Sequence, residues 1–77
     1  MNKQRRKELD IIARELDDIR ERLEALRDEE QDYYNNMPEN LQGSERGEKA
    51  EAAIESLEEA TSSIEDAISS IEEATEQ

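Results

Sequence analysis

The second half of the chain repeats every seven residues, beginning at Ala53-Ile54, Ala60-Thr61, Ala67-Ile68 and Ala74-Thr75. A seven-residue beat places equivalent side chains on one stripe of a helix and implies pairing with another helix along that stripe. With Ile54 at position a and Leu57 at d, the seam continues through Ala50, Thr61, Ile64, Ile68, Ile71 and Thr75. Every g position is then alanine (Ala53, Ala60, Ala67, Ala74) and every e position glutamate (Glu51, Glu58, Glu65, Glu72). The pattern predicts a helix over residues 45–75.

The first half carries the same beat less literally. Leu9, Ile12, Leu16, Ile19, Leu23, Leu26 and then Tyr33 read as a and d positions, with Leu9 at a and Ile12 at d. No glycine or proline interrupts residues 1–36, so the spacing predicts a helix over 4–34. Between the helices lies a loop over 35–44. There Pro38 biases Met37 away from helical geometry, and Ser44 is placed to cap the second helix. Ten residues are more than helix–helix connections usually need, so the loop is expected to hold a short turn of its own.

Charge decides how the helices pair. The e positions of the first helix are Arg6, Ala13, Arg20 and Arg27. Antiparallel coiled coils bring e beside e, which would set Arg27 against Glu51, Arg20 against Glu58 and Arg6 against Glu72. A parallel pair would set Glu8, Glu15 and Glu29 against the same glutamate row. The dipoles agree. Lys3, Arg5, Arg6 and Lys7 crowd one helix's N-terminus and Glu72, Glu73 and Glu76 the other's C-terminus, each misplaced alone and complementary side by side. Expected core layers are Leu26 with Ile54, Leu23 with Leu57, Leu16 with Ile64, Ile12 with Ile68 and Leu9 with Ile71, correct to within one heptad. The expected fold is therefore all-α: a single antiparallel two-helix coiled-coil hairpin.

One hairpin cannot cover both sides of its own seam, and a chain of 77 residues has little core to spare. The alanine column offers a flank that another helix can approach closely. A dimer of hairpins, a four-helix bundle, is the expected assembly. A helix of another protein is the alternative occupant of that column.

The composition narrows function. Charged residues make up 43 % of the chain and the net charge is −13, which repels nucleic acid and anionic membranes and attracts basic surfaces. The imbalance is local: residues 1–34 carry a net −3 and residues 44–77 a net −9. Without histidine or cysteine the commonest general base, the thiol nucleophile and the usual transition-metal ligands are missing. No phosphate-binding glycine loop or calcium loop is present, and carboxylates on exposed helices have nothing to split their pKa values. Catalysis, a bound metal and a cofactor are not expected. No stretch approaches the roughly 20 apolar residues of a membrane span, so a cytoplasmic protein is the default expectation.

Two surfaces are candidates for a protein partner. Glu59, Asp66 and Glu73 repeat along one face of the second helix, with Glu55 beside them. Carboxylates ranked along a rod can imitate a phosphate backbone and occupy a nucleic-acid-binding cleft. The plainer reading is a solvated face whose e row is neutralised by arginines of the first helix. At the loop, Tyr33, Tyr34, Met37 and Leu41 are adhesive side chains of the kind found at interface hot spots. Their plainer reading is a plug for the end of the hairpin. Ser62-Ser63 and Ser69-Ser70 read as solubilising pairs before they read as phosphorylation sites, and the basic cluster Lys3–Lys7 as a partner for the acidic helix before a nucleic-acid contact.

The stretch from Asp32 to Glu48, DYYNNMPENLQGSERGE, followed by the Ala-Ile-Glu-Ser-Leu-Glu-Glu repeat, resembles short uncharacterised acidic helical proteins of phages and prophages of Gram-positive bacteria. The distinctive part is Asn36 to Gly47, and the resemblance carries no activity over to particular residues. It implies a phage-type accessory protein in the host bacterial cytoplasm. Such a protein would bind, and in the stronger form inhibit, a bacterial protein of nucleic-acid handling or defence. A self-assembling scaffold bundle and an oligomeric small-ligand sponge are the alternatives, the sponge disfavoured by net charge if its ligand is a phosphate.

Overall fold

The computed structural model describes all of residues 1–77. It is all-helical, with α1 over Lys3–Asn35, a single turn α2 over Glu39–Gln42, and α3 over Glu45–Glu76. The long helices pack against each other as a hairpin measuring 58 × 14 × 12 Å.

The ends of the helices follow from local chemistry. Asn2 caps α1, its Oδ1 accepting from the Arg5 backbone N–H at 2.8 Å. Pro38 ends the run from α1 and opens α2, its carbonyl accepting from the N–H groups of Leu41 and Gln42 at 2.8 and 3.2 Å. Ser44 occupies the N-cap position of α3, with extended backbone, and Glu45 and Glu48 supply acid to the first turn. Its hydroxyl, however, donates to the Leu41 carbonyl instead of capping the helix. The last turn of α2 and the first of α3 are thereby tied together.

The α3 seam is the expected one: positions a and d from Gly47 to Thr75 are all buried or half-buried. α1 differs. Its a row (Leu9, Leu16, Leu23) is half-buried, but the second row facing α3 is e: Ala13, Arg20, Arg27 and Tyr34. The d row of Ile12, Ile19, Leu26 and Tyr33 stays 42–54 % exposed. A helix whose apolar residues fall at both a and d can turn either flank inward. Here the small Ala13, the Arg20 stem and the Tyr34 ring occupy the contact, and the stems of long charged side chains cover apolar surface as well as aliphatic ones do.

The register moves with that rotation. The sequence-derived layers would place Tyr34 across from Arg46 and Arg6 across from Ala74. Instead the Tyr34 hydroxyl donates to Glu51, and Arg6 Nη2 donates to the Gln77 carbonyl at 3.1 Å. The shift is five positions at one end and three at the other, inside one heptad. The expected bridges Arg27–Glu51, Arg20–Glu58 and Arg6–Glu72 are not formed, and every ion pair stays within one helix. Carboxylates three or four residues away on the same helix are reached without stretching across the seam, and exposed pairs of either kind contribute little.

Candidate interaction surfaces

The two flanks of the hairpin differ in chemistry. On one, e meets e. Tyr34 reaches Glu51 there, and a shallow depression is lined by Glu24, Arg27, Glu58, Thr61 and Ser62. Arg20 lies along this flank, held by Asp17 at 3.0 Å and Glu24 at 2.8 Å. Those partners, the Asp17 hydrogen bond first, raise its pKa further above the ordinary arginine value. The phenol of Tyr34 is pushed up as well, chiefly by its hydrogen bond to Glu51, then by partial desolvation and the glutamate's charge.

The other flank joins the exposed d row of α1 to the alanine column of α3. Near the loop, Tyr33 lines a groove with Glu30, Glu45, Arg46, Lys49 and Ala50, which places d of α1 beside the g position that Arg46 holds one heptad before the alanines. Farther along, Ala53, Ala60 and Ala74 are half-buried and Ala67 exposed. Between Ala53 and Ala74, positions g and c of α3 hold only alanine and serine. In a chain that is 43 % charged, an uncharged strip of this length beside a row of Ile, Leu and Tyr is the most distinctive surface on the molecule.

The acidic outer face of α3 is open. Glu55, Glu59, Asp66 and Glu73 are all exposed, and none forms an ion pair. Arg20 and Arg27 are engaged on their own helix and no arginine of α1 pairs with α3, so Glu58, Glu65 and Glu72 are not neutralised across the seam. The acidic face is therefore wider than the sequence implies. No group of three or more carboxylates is arranged to share a metal ion, and no helix is long and apolar enough to cross a membrane.

The four loop candidates do not form one patch. Tyr33 and Leu41 are exposed, Tyr34 is half-buried on the opposite flank, and Met37 is buried in the hairpin's own end. That burial withdraws Met37 from partner contact. The residue that sequence reasoning passes over is Gly47. It is buried at an a position, and a Cβ there would lie 2.0 Å from the Gln42 carbonyl oxygen and 2.7 Å from that of Leu41. α2 folds back onto α3 only because this position has no side chain. The signal is there to be found, since a glycine in the first turn of a strongly periodic helix implies close backbone approach. The chain matches no known protein family, no curated protein and no solved structure.

Proposed function

We propose that this chain is a non-enzymatic binding protein of the phage accessory type. Two hairpins associate into a four-helix bundle, leaving the acidic faces of α3 outward to engage a basic surface of a bacterial protein. The observation that carries this reading is the exposed apolar row Ile12, Ile19, Leu26 and Tyr33 beside an uncharged strip of α3. A rod with so little enclosed core gains most by covering that flank. Once it is covered, the surface left for anything else is strongly acidic. The bacterial setting and an inhibitory outcome rest on the phage resemblance and on the net charge of −13.

Light scattering coupled to size exclusion tests the assembly. The wild type should have twice the 8.9 kDa chain mass. Leu26→Glu should give helical monomers, because Leu26 is 54 % exposed and contributes little to the hairpin itself. Capture of a bacterial partner should weaken with salt and vanish when Glu59, Asp66 and Glu73 are changed together to lysine. A scaffold would instead grow beyond a dimer with concentration and ignore the lysine substitutions.

A further inference from the structure

The proposed dimer leaves open how the second copy sits, and the heights of the two rows on the uncharged flank decide it. We propose that the twofold axis of the dimer runs parallel to the rod. The apolar row of α1 in each copy then lies along the alanine column of α3 in the other, and both loops sit at the same end of the bundle.

The helices are antiparallel, with Tyr34 at the height of Glu51 and Arg6 reaching Gln77. In that register Tyr33 stands about level with Ala53, Leu26 with Ala60, Ile19 with Ala67 and Ile12 with Ala74. Both rows have a seven-residue period, so the match repeats along the flank, loosening from one position at the loop end to three at the free end, where Arg6 reaches Gln77. Rotation about an axis parallel to the rod preserves height. Each large side chain of one copy therefore meets an alanine of the other, the alternation of large and small that interdigitating helices require.

A twofold axis perpendicular to the rod would set alanine on alanine and isoleucine on isoleucine. It would also bring together the two copies of α3, whose segment carries a net −9 in each chain. The parallel axis places α3 of one copy against α1 of the other, whose segment carries only −3. It also sets the Lys3–Lys7 cluster beside Glu72, Glu73 and Glu76 of the second copy. The size fits too. The whole broad side of the rod, 58 × 14 Å, bounds the contact at roughly 800 Å² per copy, about the share each partner contributes to a standard stable interface.

The test places a nitroxide at Asn40→Cys, an exposed position on α2 in a chain with no other cysteine, and measures the distance between the labels of a dimer. Loops at one end should put the labels within roughly 30 Å, given helices 8–10 Å apart. A companion exchange uses size and shape. Ile19→Ala and Ala67→Ile should each weaken dimerisation about tenfold or more, and the two together should restore it, because residue 67 then fills the space left at residue 19 of the other copy. A dimer whose labels stand nearly 58 Å apart, or whose double variant is worse than either single one, overturns this arrangement while leaving dimerisation intact. A monomer at every concentration, or a larger assembly, overturns the dimer itself.

Discussion

The two ends of the hairpin have similar residues and different solidity. The buried positions, Met37, Gly47, Ala50, Ile54 and Thr61, all lie between the loop and the middle of α3. Toward the free end, Leu9, Ile64, Ile68 and Ile71 are as apolar, yet only half-buried. The difference is not hydrophobicity. At the loop end, two small residues, Gly47 and Ala50, let the backbones close up, while Met37 and α2 cover the opening. At the free end nothing folds over the seam, and the only long-range polar contact is Arg6 to the Gln77 carbonyl. Enclosure in a two-helix rod comes from small residues and a lid, and large side chains without them stay half-wet.

The sharpest way to break this contrast is to remove the small residue. Gly47→Leu would drive a side chain into the carbonyls of Gln42 and Leu41 and lift α2 off α3, with an expected loss of about 3 kcal/mol in urea unfolding. Gly43 is the control. A Cβ there meets nothing within 4 Å and its φ is −86°, so Gly43→Ala should change stability by no more than about 0.5 kcal/mol. Equal effects at both positions would mean that α2 is not seated on α3.

Next in size is a matched pair of core truncations. Ile54→Ala removes a buried side chain and should cost about 3 kcal/mol. Ile71→Ala removes a half-buried one near the free end and should cost about 1 kcal/mol, both read from thermal or urea denaturation. If the two were equal, the free end would be as enclosed as the loop end, and the asymmetry would be lost. A dimer that covers the flank raises both values without reversing their order.

A smaller effect tests the polar clasp at the loop end. The Tyr34 phenol has a raised pKa because Glu51 holds its proton, so the folded state binds that proton more tightly than the unfolded one. The stabilisation is therefore complete below the ordinary tyrosine value of 10.0 and falls away as pH rises from there toward the folded value. In a Tyr33→Phe background, phenolate absorbance should develop above that ordinary value in the folded protein and return to it in urea. Tyr34→Phe should flatten the alkaline loss of stability, and an unchanged profile would show that Glu51 does not hold the phenol.

How much of this is legible in the sequence depends on how many seams each helix permits. α3 permits one: a and d are apolar or small, e and f are acidic, and only one rotation keeps the acids wet. Spacing alone suffices for its boundaries and its seam. α1 permits two, because Leu9, Leu16 and Leu23 at a can be joined either by Ile12, Ile19 and Leu26 at d or by Ala13, the Arg20 stem and Tyr34 at e. Heptad counting prefers the larger aliphatics. The structure takes the other flank, where Tyr34 gains a hydrogen bond and Arg20 keeps two carboxylates. The choice turns on stems and a phenol, which a binary pattern scores as polar. The same shortfall hides the alanine column's neighbour: the column is visible in the sequence, the apolar row beside it is not, since heptad spacing assigns that row to the core.

The smallest expected effect concerns the threonines of the α3 seam. Thr61 and Thr75 both stand at position a, where a coiled coil prefers an aliphatic residue. Each satisfies its hydroxyl on its own helix, Thr61 on the Leu57 carbonyl at 3.0 Å and Thr75 on the Glu72 carbonyl at 2.7 Å. Valine has nearly the same shape, and it removes both the hydroxyl and the extra bond to a carbonyl already serving the helix. At buried Thr61 the change should therefore stabilise the chain by about 0.5–1 kcal/mol, because a hydroxyl leaves an enclosed site and a methyl takes its place. At half-buried Thr75 it should do almost nothing, since water already reaches the group. A gain at residue 75 equal to that at residue 61 would show the free end to be drier than the hairpin makes it, as it would be if the second copy enclosed that end of the rod.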